Sequence, residues 1–511
     1  MQTIYKKSVI LFITILLFSS VSNSQFLPTL SLNGKLISGG QELTIMYRFT
    51  ETGEGLKAKL YVPEQLLFGF SASKAELTGD LLRIEIDRLD AAYIGTVDYY
   101  NGIVEGKHIQ QGVEYDLNLE FVSDEDAVQF NRPQEPKEPF DYVIQEHLIR
   151  DNRTNVGING TLTLPNKLDK FPLVILIHGS GPQDRNQTIA GHKPFLVIAD
   201  YLTKKGIAVF RYDKRGVGKS SGNYNDATSE DFANDVLSII RYFKIHKNID
   251  TRKIGLIGHS EGGLIAMKVA ARNRRDIAFI ISLAGQGVNG AELLQQQMKD
   301  ILISQGKREE YINKSMMYQK ALFALALESN NMTEMREGII ELQEKYQEKF
   351  SEKLSEEELE EMGIAEKYIN QTIMQISSKW MKYYLQVNPE EYLDRLRCPV
   401  LAIYGGKDLQ VNAEINSKAI QDILSEKRRQ YYELHVLEDL NHLLQTAETG
   451  NISEYLLIEE TISPEVLKLM REFIKKDKYI MQSEEEDDTD SNDDDSVSDD
   501  DSISDDDSES D

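Results

Sequence analysis

The stretch KIGLIGHSEGG, residues 253–263, runs from an apolar segment into a serine that is boxed by glycines. Gly258 and Gly262 would allow a sharp turn from strand to helix, which projects the side chain of Ser260. The pattern G-x-S-x-G also occurs by chance, and a serine at a helix N-terminus can simply be a cap. Whether Ser260 is a nucleophile therefore depends on the rest of the chain.

Apolar runs typical of strands alternate with amphipathic helical segments around this stretch. The runs FPLVILIHG (171–179), IAVFRYD (207–213), IAFIISLAG (277–285) and CPVLAIYGG (398–406) are short and continuous, as buried parallel strands are. Helical patterns from Pro194 to Lys205 and from Ser229 to His246 lie between them. This alternation predicts an α/β domain over residues 140–481, with a doubly wound, mostly parallel sheet.

One long interruption breaks the alternation. Between about residues 286 and 392 the sequence is helical and rich in Glu, Lys, Gln and Met, which is too long for a plain connection. We interpret it as a helical lid inserted between two strands. Its segment KWMKYYLQ (379–386) contains the only tryptophan, Trp380, which would either line a pocket or pack the lid against the core.

The N-terminal part has a different pattern. Residues 25–130 contain short alternating stretches such as LTIMYRF and LLRIEID, separated by turn residues, which predict a small all-β domain, a sandwich or a barrel. No catalytic constellation occurs in it, which favours a binding or spacer role. The stretch NRPQEPKEP (131–139) predicts a linker, because its prolines stop both helices and ladders.

Both ends of the chain are unlike the rest. Lys6 and Lys7 precede an apolar run from Val9 to Phe18, which predicts a signal peptide over residues 1–24, export to the periplasm or beyond, and no stable membrane insertion after cleavage. An uncleaved membrane anchor is the alternative. Residues 484–511 contain 17 acidic and no basic residues, so subtracting them from the net charge of −27 leaves −10. The tail, residues 482–511, is predicted to be disordered, and no nucleic-acid partner is expected.

A serine nucleophile needs an acid and a base from later strand ends. PVLAIYGGKD places Asp408 just after an apolar run. QYYELHVLEDLNHLL offers His435 within a strand and His442 in the loop beyond it, and we expect His442 to be the base and His435 to be structural. Glu438 and Asp439 are reserve carboxylates. The order serine, acid, histidine is the one that an α/β sheet of this kind uses.

The oxyanion of the reaction needs two backbone N–H donors. One would be that of Glu261, directly after the serine, and we favour that of Ser180, in LVILIHGSGPQDRN (173–186), as the second. A merely tight glycine-rich loop is the alternative. No cluster of His, Cys and carboxylates has zinc spacing, so neither a metal nor a cofactor is expected.

Together HGSGPQDRN, RYDKRGVGKSSG, GHSEGG, YGGKDLQV and NHLLQ resemble an α/β-hydrolase with an inserted lid, from the exported bacterial acyl-carboxylesterase group. That group is similar to serine aminopeptidases and lysophospholipase-like hydrolases. The resemblance covers residues 140–480 and implies a Ser260/Asp408/His442 triad acting on small carboxylic esters with short acyl chains. An exported serine peptidase with the same triad and a catalytically inactive binding protein remain alternatives. The sequence indicates no oligomeric state.

Overall fold

The computed structural model describes residues 30–38, 41–52, 55–65, 67–98, 103–122, 132–151, 153, 155–167, 169–426, 431–455 and 458–476. The predicted signal peptide and the predicted acidic tail lie outside the described residues. Within the described ranges, no helix has the length and apolar character needed to span a membrane.

Residues 30–122 form an antiparallel sheet. Its strands are β1 (Leu30–Ser38), β2 (Gln41–Thr52), β3 (Gly55–Val62), β4 (Leu67–Ser71), β5 (Lys74–Thr78), β6 (Leu81–Ile86), β7 (Ala91–Asp98), β8 (Ile103–Gln110), β9 (Val113–Asp116) and β10 (Leu119–Val122). They follow the order β4-β3-β2-β1-β10-β8-β7-β6-β5, with β9 paired to β8. The predicted all-β domain is confirmed.

This sheet curls back on itself. β4 and β5 stand at opposite ends of the strand order, yet only Ala72 and Ser73 separate them in the chain. The N–H of Ala72 donates to the carbonyl of Ala58 in β3 at 2.9 Å, and the N–H of Ser73 donates to the carbonyl of Glu85 in β6 at 2.8 Å. The two ends of the strand order therefore come together at this corner.

The second sheet is the α/β sheet. Its strands are β11 (Tyr142–Asp151), β12 (Val156–Pro165), β13 (Phe171–Ile177), β14 (Ala208–Tyr212), β15 (Ile249–His259), β16 (Phe279–Leu283), β17 (Val400–Gly405) and β18 (Tyr432–Leu437). They follow the order β11-β12-β14-β13-β15-β16-β17-β18. β12 runs antiparallel to β11 and β14, and the pairs from β14 to β18 are parallel. The predicted doubly wound, mostly parallel sheet is confirmed.

Helices cover both faces of this sheet. They are α1 (Pro194–Lys204), α2 (Ser229–Phe243) and α3 (Glu261–Arg272) before the interruption, and α11 (Ala413–Ser425) and α12 (Pro464–Ile474) after it. Alternate residues of β13 face opposite cores: Leu173 and Ile175 lie with α2, α3 and α11, whereas Val174 and Leu176 lie with α1 and α12. Burial on both faces explains why these strands read as continuous apolar runs.

The interruption between β16 and β17 is helical. It contains α4 (Gly290–Ser304), α5 (Glu309–Glu328), α6 (Met332–Phe350), α7 (Glu356–Glu361), α8 (Ile369–Ile376), α9 (Lys379–Gln386) and α10 (Glu390–Leu393). Its helices enclose two apolar clusters, one around Ile339, to which Leu385 of α9 contributes, and one around Phe350. Its action as a lid stays a prediction.

The proline-rich segment before β11 is anchored. Residues 132–141 have neither helix nor strand, as the prolines predict. Arg132 nevertheless donates from Nη1 to the carbonyl of Ile458 at 2.8 Å, and Gln134 Oε1 accepts from the N–H of Thr461 at 2.6 Å. The start of the segment is therefore fixed to the α/β domain.

Candidate active site

Ser260 occupies the turn between β15 and α3. Its φ of 55° and ψ of −122° lie where a residue with a side chain is strained. Its N–H donates to the carbonyl of Leu283 at the end of β16 at 2.8 Å, which ties the turn to the neighbouring strand. The arrangement places the serine at the carboxyl edge of the sheet, half-buried and at a helix N-terminus.

The glycines around the serine are needed for close approach. A Cβ at Gly258 would lie 2.0 Å from the carbonyl oxygen of Gly262, and a Cβ at Gly262 would lie 2.1 Å from the carbonyl oxygen of Ile177. Helix α3 therefore starts in contact with the ends of β13 and β15. The left-handed conformation itself falls on Ser260, since neither glycine has a positive φ.

Asp408 and His442 meet at the same edge of the sheet. The Asp408 carboxylate is fully buried, and its Oδ1 accepts from the N–H groups of Gln410 and Val411, both at 2.8 Å. Its Oδ2 lies 2.8 Å from His442 Nδ1. A carboxylate in this position favours the tautomer with a proton on Nδ1, which leaves Nε2 free to accept one.

The turn that carries His442 is internally braced. Asn441 Oδ1 accepts from the N–H groups of Leu443 and Gln445, both at 3.0 Å. The other histidine, His435, lies in β18 with its side chain 34% exposed and its Nε2 3.8 Å from Glu433 Oε2.

Neither reserve carboxylate belongs to this buried group. Glu438 and Asp439 are exposed, and Asp439 pairs with Lys407 at 2.9 Å.

A chain of hydrogen bonds joins the loop after β13 to the His442 turn. The N–H of Gly179 donates to Gln187 Oε1 at 3.0 Å, Gln187 Nε2 lies 2.9 Å from His259 Nδ1, and His259 Nε2 lies 2.8 Å from the His442 carbonyl. Because a carbonyl only accepts, His259 carries its proton on Nε2 and accepts at Nδ1. Burial lowers the pKa of His259 to about 3, so the ring stays neutral.

Sequence reasoning did not single out Gln187 or His259. Only the position of His259, directly before the nucleophile, could have drawn attention to it.

The two expected oxyanion donors lie beside Ser260. A Cβ at Gly179 would be 3.2 Å from Ser260 Cβ, so the loop that carries Ser180 passes against the nucleophile. Glu261 opens helix α3, where the first N–H groups have no partner within the helix. Among the described residues, no hydrogen bond engages the N–H of either Ser180 or Glu261.

The side chain of Glu261 connects the helical insertion to the nucleophile turn. Its carboxylate is fully buried, and Oε1 accepts from Ser229 Oγ at 2.6 Å and from Trp380 Nε1 at 2.8 Å. Trp380 stacks on Tyr384, with 4.6 Å between ring centroids. Of the two alternatives for Trp380, the structure therefore shows packing against the core, directly next to the predicted site.

The comparisons agree with this architecture. Residues 192–446 match the family model described as serine aminopeptidase, S33, and this span includes Ser260, Asp408 and His442. The domain that contains the second sheet has the α/β-hydrolase fold.

This α/β-hydrolase is also 27% identical over 308 residues to Esterase EstD of Thermotoga maritima. The alignment covers 60% of the chain and spans 63% of the length of the esterase. An uncharacterized 31.7 kDa protein of Escherichia coli is 27% identical over 288 residues, which are 56% of this chain and 89% of that protein. The solved Pyrococcus furiosus esterase Pf2001 is 17% identical to this chain, with an alignment that covers 66% of this chain and 93% of that one and a TM-score of 0.37.

Proposed function

We propose that the protein is a serine hydrolase that cleaves carboxylic esters through an acyl-enzyme intermediate. The observation that carries the proposal is the buried 2.8 Å contact between Asp408 Oδ2 and His442 Nδ1 at the sheet edge where Ser260 occupies a strained turn. A buried carboxylate that orients an imidazole, at the edge where a serine projects from a strand-to-helix turn, is the arrangement that activates a hydroxyl.

The first half of the reaction transfers the acyl group to the enzyme. His442 Nε2 takes the proton of the Ser260 hydroxyl while the oxygen attacks the ester carbonyl, and Asp408 stabilises the imidazolium that forms. The N–H groups of Ser180 and Glu261 bind the oxyanion of the tetrahedral intermediate. The intermediate collapses, the ester C–O bond breaks, and His442 returns the proton to the leaving alcohol.

The second half frees the enzyme. Water loses a proton to His442 and attacks the acyl carbonyl, and the same two N–H groups bind the second oxyanion. Collapse releases the carboxylic acid and restores the Ser260 hydroxyl. Each group used is a side chain or backbone N–H of this chain. The described residues contain no group of three His, Cys, Asp or Glu side chains placed to hold a metal ion.

Small esters with short acyl chains are the proposed substrates. The esterase relative supports an ester, and the description of the matching family, serine aminopeptidase, supports peptides as the second candidate. An aminopeptidase needs a carboxylate that is free to bind the substrate amine. Glu261 is a buried carboxylate next to the nucleophile, but it is fully enclosed: Oε1 accepts from Ser229 and Trp380, and Oε2 lies 3.8 Å from the Lys214 ammonium group. This favours the ester.

The test compares matched substrates and labels the serine. We expect p-nitrophenyl butyrate to be hydrolysed much faster than an aminoacyl p-nitroanilide, and an organophosphonate to attach to Ser260, as read by peptide mass spectrometry. The Ser260→Ala variant should lose both turnover and label. Turnover of the anilide alone would favour the peptidase, and an unlabelled, inactive wild-type protein would favour the binding protein.

The proposal also includes the export of the protein and the action of the helical insertion as a lid. We propose that the mature chain begins at Gln25 outside the cytoplasm, because residues 1–24 have the pattern of a cleaved signal peptide. N-terminal sequencing of protein recovered outside the cytoplasm tests this, and a retained Met1 on cytoplasmic protein would refute it. We propose further that the helical insertion covers the site, since its residue Trp380 contacts Glu261.

A further inference from the structure

Lys214 is a buried lysine whose ammonium group bonds to backbone carbonyls. It follows β14 by two residues, and its side chain is only 2% exposed. Its Nζ donates to the carbonyl of Gly179 at 2.8 Å and to the carbonyl of Gly181 at 3.2 Å. These two residues flank Ser180, so the lysine is hydrogen-bonded to the loop that carries one predicted oxyanion donor.

Burying this ammonium group has a large cost. Burial lowers the pKa of Lys214 from its usual value, although Glu261 acts in the opposite direction. Glu261 Oε2 lies 3.8 Å from Nζ, within reach of an ion pair but too far for a hydrogen bond. The Phe232 ring centroid lies 4.1 Å from the same nitrogen. Apolar side chains would fill this volume at lower cost, so stability alone is a poor reason for a lysine here.

The bonds of Lys214 determine where the N–H of Ser180 points. The C=O of one residue and the N–H of the next point in opposite directions across a trans peptide bond. Because the Gly179 carbonyl turns toward Lys214, the N–H of Ser180 turns away from it. That peptide unit also adjoins the nucleophile, since a Cβ at Gly179 would lie 3.2 Å from Ser260 Cβ.

The second predicted donor belongs to a residue whose side chain faces the same lysine. Glu261 supplies a backbone N–H at the start of α3, and its own carboxylate faces Lys214. One ammonium group thus contacts the loop of the first donor through two carbonyls and the residue of the second donor through its side chain. Lys214 lies within RYDKRGVGKSSG, where the sequence alone indicates no role for it.

We infer that Lys214 is a positioning residue that aligns both oxyanion donors, the N–H groups of Ser180 and Glu261. The inference rests on the proposed serine hydrolase activity and adds to it a residue that touches neither the substrate nor the catalytic triad. The alternative is that Lys214 only neutralises Glu261 in the core. The two differ in what happens when both charges are removed together.

The first variant is Lys214→Met, assayed at a temperature where it is folded. Removing one oxyanion donor costs about 10² to 10³ in kcat in a well-studied serine protease. A donor that remains but is misaligned should cost less, so we expect kcat to fall about 10- to 100-fold. KM should change less than about threefold, because the oxyanion forms only in the transition state. Affinity for a trifluoromethyl ketone that mimics the tetrahedral intermediate should fall by the same factor as kcat/KM.

Lys268→Met is the matched control. Lys268 is also 2% exposed and also paired with a glutamate, with Nζ 2.5 Å from Glu230 Oε2, but its ammonium group contacts no carbonyl of the 179–181 loop. We expect this variant to lose melting temperature, because it removes a buried charge pair, while kcat and inhibitor affinity stay within about twofold, a small change in the barrier.

The double variant Lys214→Met/Glu261→Gln separates the two explanations. It removes both charges, and the glutamine keeps an oxygen for Trp380 and Ser229. We expect it to regain melting temperature relative to Lys214→Met while kcat stays low. Recovery of kcat together with melting temperature would overturn the inference, because Lys214 would then only neutralise the charge of Glu261. So would an unchanged kcat in Lys214→Met. A wild-type protein that hydrolyses no ester would instead refute the proposed function, and the inference would fall with it.

Discussion

Asp408→Asn is the most informative change to the candidate triad, because an asparagine fits the site while reversing one hydrogen bond. Oδ1 of Asp408 accepts from two backbone N–H groups, and Oδ2 faces His442 Nδ1. An asparagine would keep its oxygen toward the two N–H groups, since turning the amide round would place its NH₂ against both of them. Its NH₂ would then face Nδ1 and force the imidazole proton to Nε2.

The change of tautomer in His442 should lower kcat by an amount that can be estimated. With its proton on Nε2, His442 cannot take the proton of Ser260. The corresponding change in a well-studied serine protease lowers kcat about 10⁴-fold, which is about 5 kcal/mol of barrier. We expect a similar loss of kcat on p-nitrophenyl butyrate, with little change in melting temperature because the shape and all three hydrogen bonds persist, one of them reversed.

Asp439→Asn is the control. Its carboxylate is 75% exposed and pairs only with Lys407 among the described residues, so kcat should stay within about twofold, as for surface changes in general. If Asp408→Asn kept more than a tenth of wild-type kcat, the assignment of Asp408 as the orienting acid would be wrong. A large loss in Asp439→Asn instead would move the acid to the reserve position.

Three further outcomes are expected. His442→Ala should lower kcat about as severely as Ser260→Ala, near 10⁶-fold by comparison with subtilisin. His435→Ala should lower kcat by no more than about tenfold. The reverse result would make His435 the catalytic base instead of His442. Deleting residues 484–511 should leave esterase activity and melting temperature nearly unchanged, because the segment has too few apolar residues to pack, and a loss of several degrees would show that it docks. Stability to urea should fall as the pH falls from about 6.5 toward 4, because the unfolded chain then binds protons that the folded chain does not. Burial lowers the pKa of several histidines, that of His192 to about 4. His192→Gln should remove about 2 kcal/mol of the loss between pH 7 and pH 5, and an unchanged loss would refute this assignment.

The parallel strands were predictable because both of their faces are buried. Each residue of β14, β16 and β17 is buried, and this produces the continuous apolar runs read from the sequence. Strand β12 was not singled out, because VGINGTLTLP contains polar and glycine residues. A Cβ at Gly160 would lie 2.3 Å from the ring of Phe210, so this glycine is required by a neighbour 50 positions away. No local pattern reveals such a contact.

The candidate site likewise contains residues that the sequence indicates and residues that it does not. Ser260, Asp408 and His442 could be proposed from the sequence because each follows a recognisable strand, and parallel strands end at one edge. Gln187 and Lys214 gave no such signal, since their main partners are a backbone N–H and backbone carbonyls. A sequence names side chains and does not show which backbone groups they will contact. Residues that align a site through the backbone therefore escape a reading based on side-chain chemistry.

The contacts of Glu261 also limit how the helical insertion could open. If the insertion is a lid, moving α9 would break the Trp380 bond to the Glu261 carboxylate, and a buried acceptor that loses a donor costs about 1–3 kcal/mol. The same carboxylate faces Lys214, and its residue supplies a predicted oxyanion donor. Opening at α9 would therefore disturb the site each time the substrate enters. Leu385 of α9 also belongs to the apolar cluster around Ile339, so a motion that leaves the nucleophile turn intact would be confined to the part of the insertion around Phe350, whose cluster contains no α9 residue. For this reason we expect α9 to stay fixed during turnover.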